Sequence, residues 1–230
     1  HTQCNPYGWT SPGWDFYWGW STAAVAWLMQ NIWEHFEFSG DEFYLEEKIY
    51  PIMLETAKFY KQWLIYDEKQ DRMVSSPTYS PEHGPVTVGN TYEQSLIQQS
   101  FIDLVKAAEV LHKTRDPFIA EIKELIPKLK PFKIGKDGRL LEWFEEEDEG
   151  FDKSQVEDKH RHISHLMGLY PGKTIDTPEL LEAARKTLDD RGDNSTGWAR
   201  AYKQCLWARL GDGNRAHKLL YGLITESTYP

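Results

Sequence analysis

Apolar residues recur at helical spacing along most of this 230-residue chain and almost nowhere at the alternating spacing of a half-buried strand. Val25, Leu28, Met29, Ile32, Trp33 and Phe36 form the first set, with Ser21 as its N-cap and Gly40 as its stop. A second stretch runs from Asp41 through Phe43, Leu45 and Ile49. It breaks near Pro51, resumes through Met53, Ala57, Phe59, Trp63 and Leu64, and ends in a polar turn at 67–71. Asn90-Thr-Tyr-Glu93 reads as a capping box for a helix with Leu96, Ile97, Phe101, Leu104, Ala108 and Leu111 on its apolar positions. Asp116-Pro117 opens another helix, and Thr177-Pro178 supplies an N-cap followed by Pro at the first helical position. Residues 163–169 predict a short helix, 197–210 a longer one, and Gly211-Asp-Gly213 a hinge into the last. No hairpin dipeptide separates two alternating runs. The expected class is all-α: seven or eight helices joined as hairpins, in one domain over 1–230 with no internal boundary.

Three stretches lack the helical period. Residues 1–20 hold four Trp among turn-forming Pro and Gly, an aromatic loop expected to pack over the core or to line a cleft. Residues 75–90 hold three Pro and two Gly, which stop either flanking helix from continuing. A loop this long inside a compact domain is uncommon unless it is functional or disordered. Tyr79, Val86 and Val88 give it groups to bury, which argues for order. Its one carboxylate, Glu82, lies between Pro81 and His83. Residues 132–159 form the third stretch, with Glu142-Trp143 and an acidic run at 145–149 that reads as a solvated loop.

A net charge of −10 argues against nucleic acid and anionic membrane surfaces as partners, because both need a basic face, and suits a neutral substrate. Aromatic residues reach 14%, enough to line a sugar cleft as well as a core. Cys4 and Cys205 set no disulfide framework. No Gly-x-Ser-x-Gly elbow and no phosphate-cradling glycine loop is present. The cluster His160-Arg-His162-Ile-Ser-His165 has the density of a metal site but not the spacing: i and i+2 do not share a helix face, and no acidic third ligand is evident. No metal or cofactor is expected. Arg161 and His162 suit the recognition of sugar hydroxyls, and the alternative is a buried polar knot tying this loop to a helix. Carboxylates remain as the carriers of chemistry. Glycoside hydrolysis needs an acid on the leaving oxygen and a base or nucleophile on the opposite face. Glu82 is the candidate acid. Glu93 and Glu142 compete with it; the helix cap accounts for Glu93, whereas Glu142, in its own loop, stays open.

Trp33-Glu-His35, Ser39-Gly-Asp41, Tyr79-Ser-Pro-Glu-His83, Leu141-Glu-Trp143, His160-Arg-His-Ile-Ser-His165, Arg191-Gly-Asp193, Thr196-Gly-Trp198 and Trp207-Ala-Arg-Leu210 occur in that order. Together they resemble the catalytic domain of glycoside hydrolase family 95, the alpha-1,2-L-fucosidases. The resemblance implies helix hairpins forming part of an (α/α)6 toroid and an inverting mechanism. It also implies Glu82 as the proton donor, Arg161 and His162 on the fucose hydroxyls, and a tryptophan of the early loop facing the sugar. Trp18 fits that role best, then Trp20 and Trp14. The family's water-positioning asparagine pair and its water-activating aspartate segment match nothing in this chain. The chain is therefore expected to be a portion of such an enzyme, to be inactive alone, and to expose helix faces that favour self-association. A fucosylated oligosaccharide or glycan is the implied substrate, an extracellular or cell-surface location the implied setting, and the rest of the catalytic domain the implied partner. Three readings stay beside this one: an alpha-L-galactosidase of the same family, which differs by one substrate hydroxyl; a non-catalytic helical carbohydrate-binding module; and a helical scaffold with no sugar site.

Overall fold

The computed structural model describes residues 21–195 and 197–226. Their helices are α1 (Ala24–Ser39), α2 (Tyr50–Trp63), α3 (Thr91–Val110), α4 (Pro117–Leu125), α5 (Pro178–Arg191), α6 (Gly197–Arg209) and α7 (Gly213–Glu226). The all-α expectation holds, with most helix ends where their punctuation puts them. Asn90 Oδ1 accepts from the Glu93 backbone N–H, Asp116 Oδ1 from that of Phe118, and Thr177 Oγ1 from that of Leu180. Gly40 closes α1 in the left-handed conformation, with φ at 64°. α1 itself starts later than Ser21 predicts: its N-cap is Ala23, and Ser21 contributes only its carbonyl, to Ala24.

Two local features differ from expectation. The break near Pro51 is not a break. A short helical turn (Glu42–Tyr44) and a π turn (Leu45–Ile49) run straight into α2, with the Tyr50 N–H reaching the carbonyl of Leu45. Pro51 sits in the first turn of α2, where the π turn gives way to regular α-helix. The polar turn at 67–71 is flanked by two short strands, β1 (Leu64–Asp67) and β2 (Arg72–Ser75), paired antiparallel with Leu64 opposite Ser75 and Asp67 opposite Arg72. The turn between them places Asp71 at φ 52°, a left-handed position that Asp tolerates better than most residues. That four-residue turn carries none of the usual two-residue hairpin signals, so the hairpin is hidden in the sequence.

α3 is the hub. It is buried on nearly every side and packs against α1, α2, α4 and the turn at 164–166. Leu96, Ile97, Phe101, Leu104 and Ala107 lose all contact with solvent. Because most of the helix is buried, the polar side chains on its inner faces must find internal partners. Gln94 accepts from the backbone and hydroxyl of Ser75 and donates to the carbonyl of Met73, which fixes β2 on α3. Gln99 donates to Asp103 and accepts from the Lys173 backbone. Apolar side chains remain exposed on α1 (Val25, Leu28) and α7 (Tyr221, Ile224), the first and last helices described. Among the described residues no helix is long and apolar enough to cross a membrane.

Candidate active site

The irregular stretch 75–90 connects β2 to α3. Its ends are clasped by Thr78 and Thr87, which exchange both backbone hydrogen bonds (2.9 and 3.0 Å) and bring their hydroxyls to 3.2 Å. The clasp leaves residues 79–86 as a tight loop with Pro81-Glu82-His83 at its tip. The peptides before Pro77 and Glu82 are cis. Gly84 is required here, since its φ is 79° and a Cβ would fall 2.2 Å from the Trp143 ring. The expectation that Val86 and Val88 bury themselves fails, for both are exposed. The buried side chains of the stretch are polar: Ser75, Thr78, Ser80, His83, Thr87 and Asn90. The loop is held by hydrogen bonds, because these buried polar groups and the backbone around them need partners.

Glu82, Arg161 and His162 meet as the sequence suggests. Arg161 Nη2 donates to Glu82 Oε2 at 2.5 Å, and His162 Nε2 lies 3.4 Å from the same oxygen. The Glu82 side chain is 19% exposed and that of Arg161 57%, so the trio opens to solvent. Burial pulls the His162 imidazole below its ordinary pKa, partly opposed by Glu82 and reinforced by Arg161. Trp18, Trp20 and Trp14 lie outside the described residues.

Behind Glu82 lies a second carboxylate, and its setting decides between the two. Glu142 is 3% exposed. Oε1 accepts from Ser80 Oγ at 2.5 Å and lies 3.3 Å from His83 Nε2. Oε2 accepts from Arg191 Nη2 at 3.0 Å and lies 3.2 Å from His165 Nδ1. The two imidazole contacts have ion-pair distances but off-line hydrogen-bond angles. Burial alone would raise the Glu142 carboxyl; His165 and His83 outweigh it and hold the group well below the usual carboxylate range. A carboxylate held ionised and sealed from water is poorly suited to donate a proton, which leaves Glu82 as the candidate acid.

Glu142 instead fastens the loops of the trio to each other. On one side it holds Ser80 and His83, which flank Glu82. On the other it holds Arg191, whose Nη1 donates to the carbonyls of His160 and His162 (2.9 and 3.0 Å) on either side of Arg161. Further ties run in parallel. Ser164 Oγ donates to the Pro81 carbonyl at 3.0 Å, the Gly84 N–H to Gln155, and the Glu157 N–H to His83 Nδ1. Because His83 Nδ1 accepts, its ring proton sits on Nε2, toward Glu142. His160 stacks on His83 at 4.4 Å, and its Nδ1 accepts from the His162 N–H. Burial, with His83 next, lowers its pKa to about 4.

The buried-knot reading of the histidine cluster fits only part of it. His160 and His165 belong to the buried knot, while His162 faces Glu82. Among the described residues no group of His, Cys, Asp and Glu has the arrangement of a metal site. The brace around Glu142 was not foreseen as a unit. Its members come from four separate segments, and the one trace in the sequence is that each lies in, or beside, a motif already singled out.

The capping role of Glu93 is half right. Its backbone N–H is capped by Asn90, but its side chain does not turn back to the cap. Glu93 Oε1 accepts from Trp63 Nε1 at 2.8 Å and Oε2 from Thr22 Oγ1 at 2.6 Å, which ties the ends of α1, α2 and α3 together. Burial pushes its carboxyl up to about 7, against the pull of those two donors.

Comparison with known proteins places this chain, with its helix hairpins, among the glycoside hydrolases. The family model described as the Glycosyl hydrolase family 95 catalytic domain matches residues 1–230, and the chain belongs to that family, whose helices close into an (α/α)6 toroid. The chain is 36% identical over 207 residues to Alpha-L-fucosidase 2 of Arabidopsis thaliana, covering 85% of this chain and 24% of that protein. It is 31% identical over 243 residues to Probable alpha-fucosidase A of Aspergillus niger, covering 99% and 30%. With the Aspergillus oryzae protein of the same description it shares 31% identity over 193 residues, covering 76% and 26%. The chain thus spans 24–30% of the length of the curated relatives it matches.

Proposed function

We propose that this chain supplies the proton-donor side of an alpha-L-fucosidase that removes terminal alpha-1,2-linked L-fucose with inversion. The observation that carries the reading is the convergence of Glu82, Arg161 and His162 on one half-exposed carboxylate oxygen, in a member of a family whose relatives here are described as alpha-fucosidases. Glu82 protonates the glycosidic oxygen as the bond to the anomeric carbon breaks. Arg161 and His162 hold hydroxyls of the terminal sugar. In the free protein both rest on Glu82 Oε2. Substrate entry exchanges that contact for sugar hydroxyls, which frees the carboxyl to carry its proton. Arg161 can make this exchange because its head is largely solvated and its stem long. A water activated on the opposite face completes an inverting reaction, with the second carboxylate about 6.5–9.5 Å from the first. Glu142 does not serve there, since it is sealed from water by Ser80 and Arg191.

The test is Glu82→Gln in the full-length protein that contains this chain, assayed on 2′-fucosyllactose and on fucosyl fluoride. Loss of a general acid lowers kcat by about 10²–10⁴-fold on the first substrate. Fluoride leaves without protonation, so its rate should change little. Equal loss on both substrates, or full activity on both, would remove Glu82 from the acid role. Proton NMR of the first-formed fucose anomer reads the stereochemistry, and a retained configuration rules out inversion.

A further inference from the structure

Trp198 stands at the N-terminal end of α6 with its side chain 53% exposed, which is unusual for a residue that carries so much apolar surface. Its position is nevertheless built. One turn along α6, Tyr202 stacks on it at 5.2 Å and 17°. Tyr202 is itself buried, with its hydroxyl donating to the Tyr170 carbonyl at 2.8 Å, so the backing ring cannot swing away. Trp27 of α1 flanks the indole at 6.2 Å, and the His162 imidazole meets it edge-on at 5.7 Å. The same imidazole touches Glu82. A rigid, half-open aromatic surface therefore adjoins the acid with one residue between.

We propose that Trp198 is the stacking platform for the sugar on the leaving-group side of the scissile bond. The proposal rests on the reading of Glu82 as proton donor. An acid that protonates the bridging oxygen has one sugar ring on either side. The polar pair Arg161 and His162 matches the hydroxyl-rich terminal sugar. The remaining glycan must project toward solvent, and the surface that awaits it must be open, apolar and fixed. Trp198 meets all three requirements. Its open ring matches the C–H face of a neutral hexopyranose such as the galactose unit of lactose.

In the full-length protein, Trp198→Ala is expected to lower kcat/KM on 2′-fucosyllactose about 5- to 10-fold, mainly through KM, while the rate on fucosyl fluoride, whose leaving group has no ring, stays within about twofold. Trp198→Phe should keep most of the activity. Equal losses on both substrates would mean that Trp198 merely props His162, and unchanged kinetics on both would mean that it binds nothing; either overturns the proposal. A titration of tryptophan fluorescence with lactose separates the two readings. If the unaltered protein cleaves neither substrate yet lactose gives a signal that Trp198→Phe abolishes, Trp198 stacks on a sugar, but the acid role of Glu82 falls and the leaving-group assignment falls with it. If lactose gives no Trp198-dependent signal, the platform falls whatever the activity.

Discussion

Glu142 and Glu93 are buried to almost the same extent, 3% and 1% exposed, yet their surroundings shift their carboxyls in opposite directions. Glu142 faces an arginine and two histidines, and stays charged. Glu93 faces an indole N–H and a hydroxyl, both neutral, and shifts to about 7. Desolvation opposes the charge in both places; only at Glu142 do the guanidinium and the imidazole N–H groups around it outweigh it. Burial alone therefore says little about what a carboxyl does, and the partners decide. Glu142 works as a permanent anion that locks two loops together. Glu93 works as a carboxyl that holds its proton up to about pH 7 while it ties three helix ends together. Glu82 sits between them, half open, with one mobile cation at hand.

The widest gap between the two buried sites should appear on Glu142→Gln. It leaves Arg191 and the histidines facing a neutral amide, and breaking a buried ion pair from one side removes about 3–5 kcal/mol of stability. Urea unfolding measures it, and a loss under about 1 kcal/mol would erase the distinction from Glu93. Arg191→Met should do comparable damage, and the double variant should lose much less than the sum of the two, since both act on one network.

The pH dependence sharpens the comparison further, with opposite signs. The Glu142 carboxyl is lower in the folded state than in the unfolded one. Its stabilisation is therefore present above the usual carboxylate pKa and is lost as pH falls toward the lower folded value. His160, lowered to about 4 in the fold, adds to the same acid limb between pH 4 and its ordinary 6.5. Glu93 is raised, so the folded chain holds its proton more tightly and stability falls as pH rises from about 4.5 through 7. Glu93→Gln copies the protonated form, accepting from Trp63 and donating to Thr22. Relative to the parent it should gain on the order of 1–3 kcal/mol between pH 5 and pH 8, read from thermal melts. A constant difference across that range would show that Glu93 does not titrate there. The smallest effect belongs to Trp63→Phe, which removes one donor to Glu93 and should lose about 1–2 kcal/mol, with the loss growing as pH rises. Chemical denaturation at two pH values tests that trend.

Much of the scaffold was legible because its signals are local. Asn90, Asp116, Thr177 and Gly40 cap the helices they punctuate, and the apolar faces of α3 and α5 follow their periodicity. The hairpin β1–β2 was not legible, since its turn lacks the usual dipeptide and its pairing is visible only across the turn. The order of the 75–90 loop was expected for the wrong reason. Valines were credited, but Thr78, Ser80 and His83 make the bonds, and polar residues announce a buried role only when their partners are known. At the site, resemblance to the family put Glu82, Arg161 and His162 together, and the three do converge.

The sequence by itself determined most of the helices and their caps, and that Glu82, Glu93 and Glu142 would lie on or beside irregular loops. It offered Glu82 as the candidate acid, set Glu93 aside as a cap and left Glu142 open. Only the tertiary structure gave each its ionisation, because that depends on charges and dipoles a few ångströms away, and those neighbours come from distant segments. Arg191 reaches Glu142 across 49 residues of chain and Arg161 reaches Glu82 across 79, while Thr22 reaches Glu93 across 71. No window along the chain contains those pairs, and the fold that brings them together gives one glutamate its charge, one its proton and one an open face.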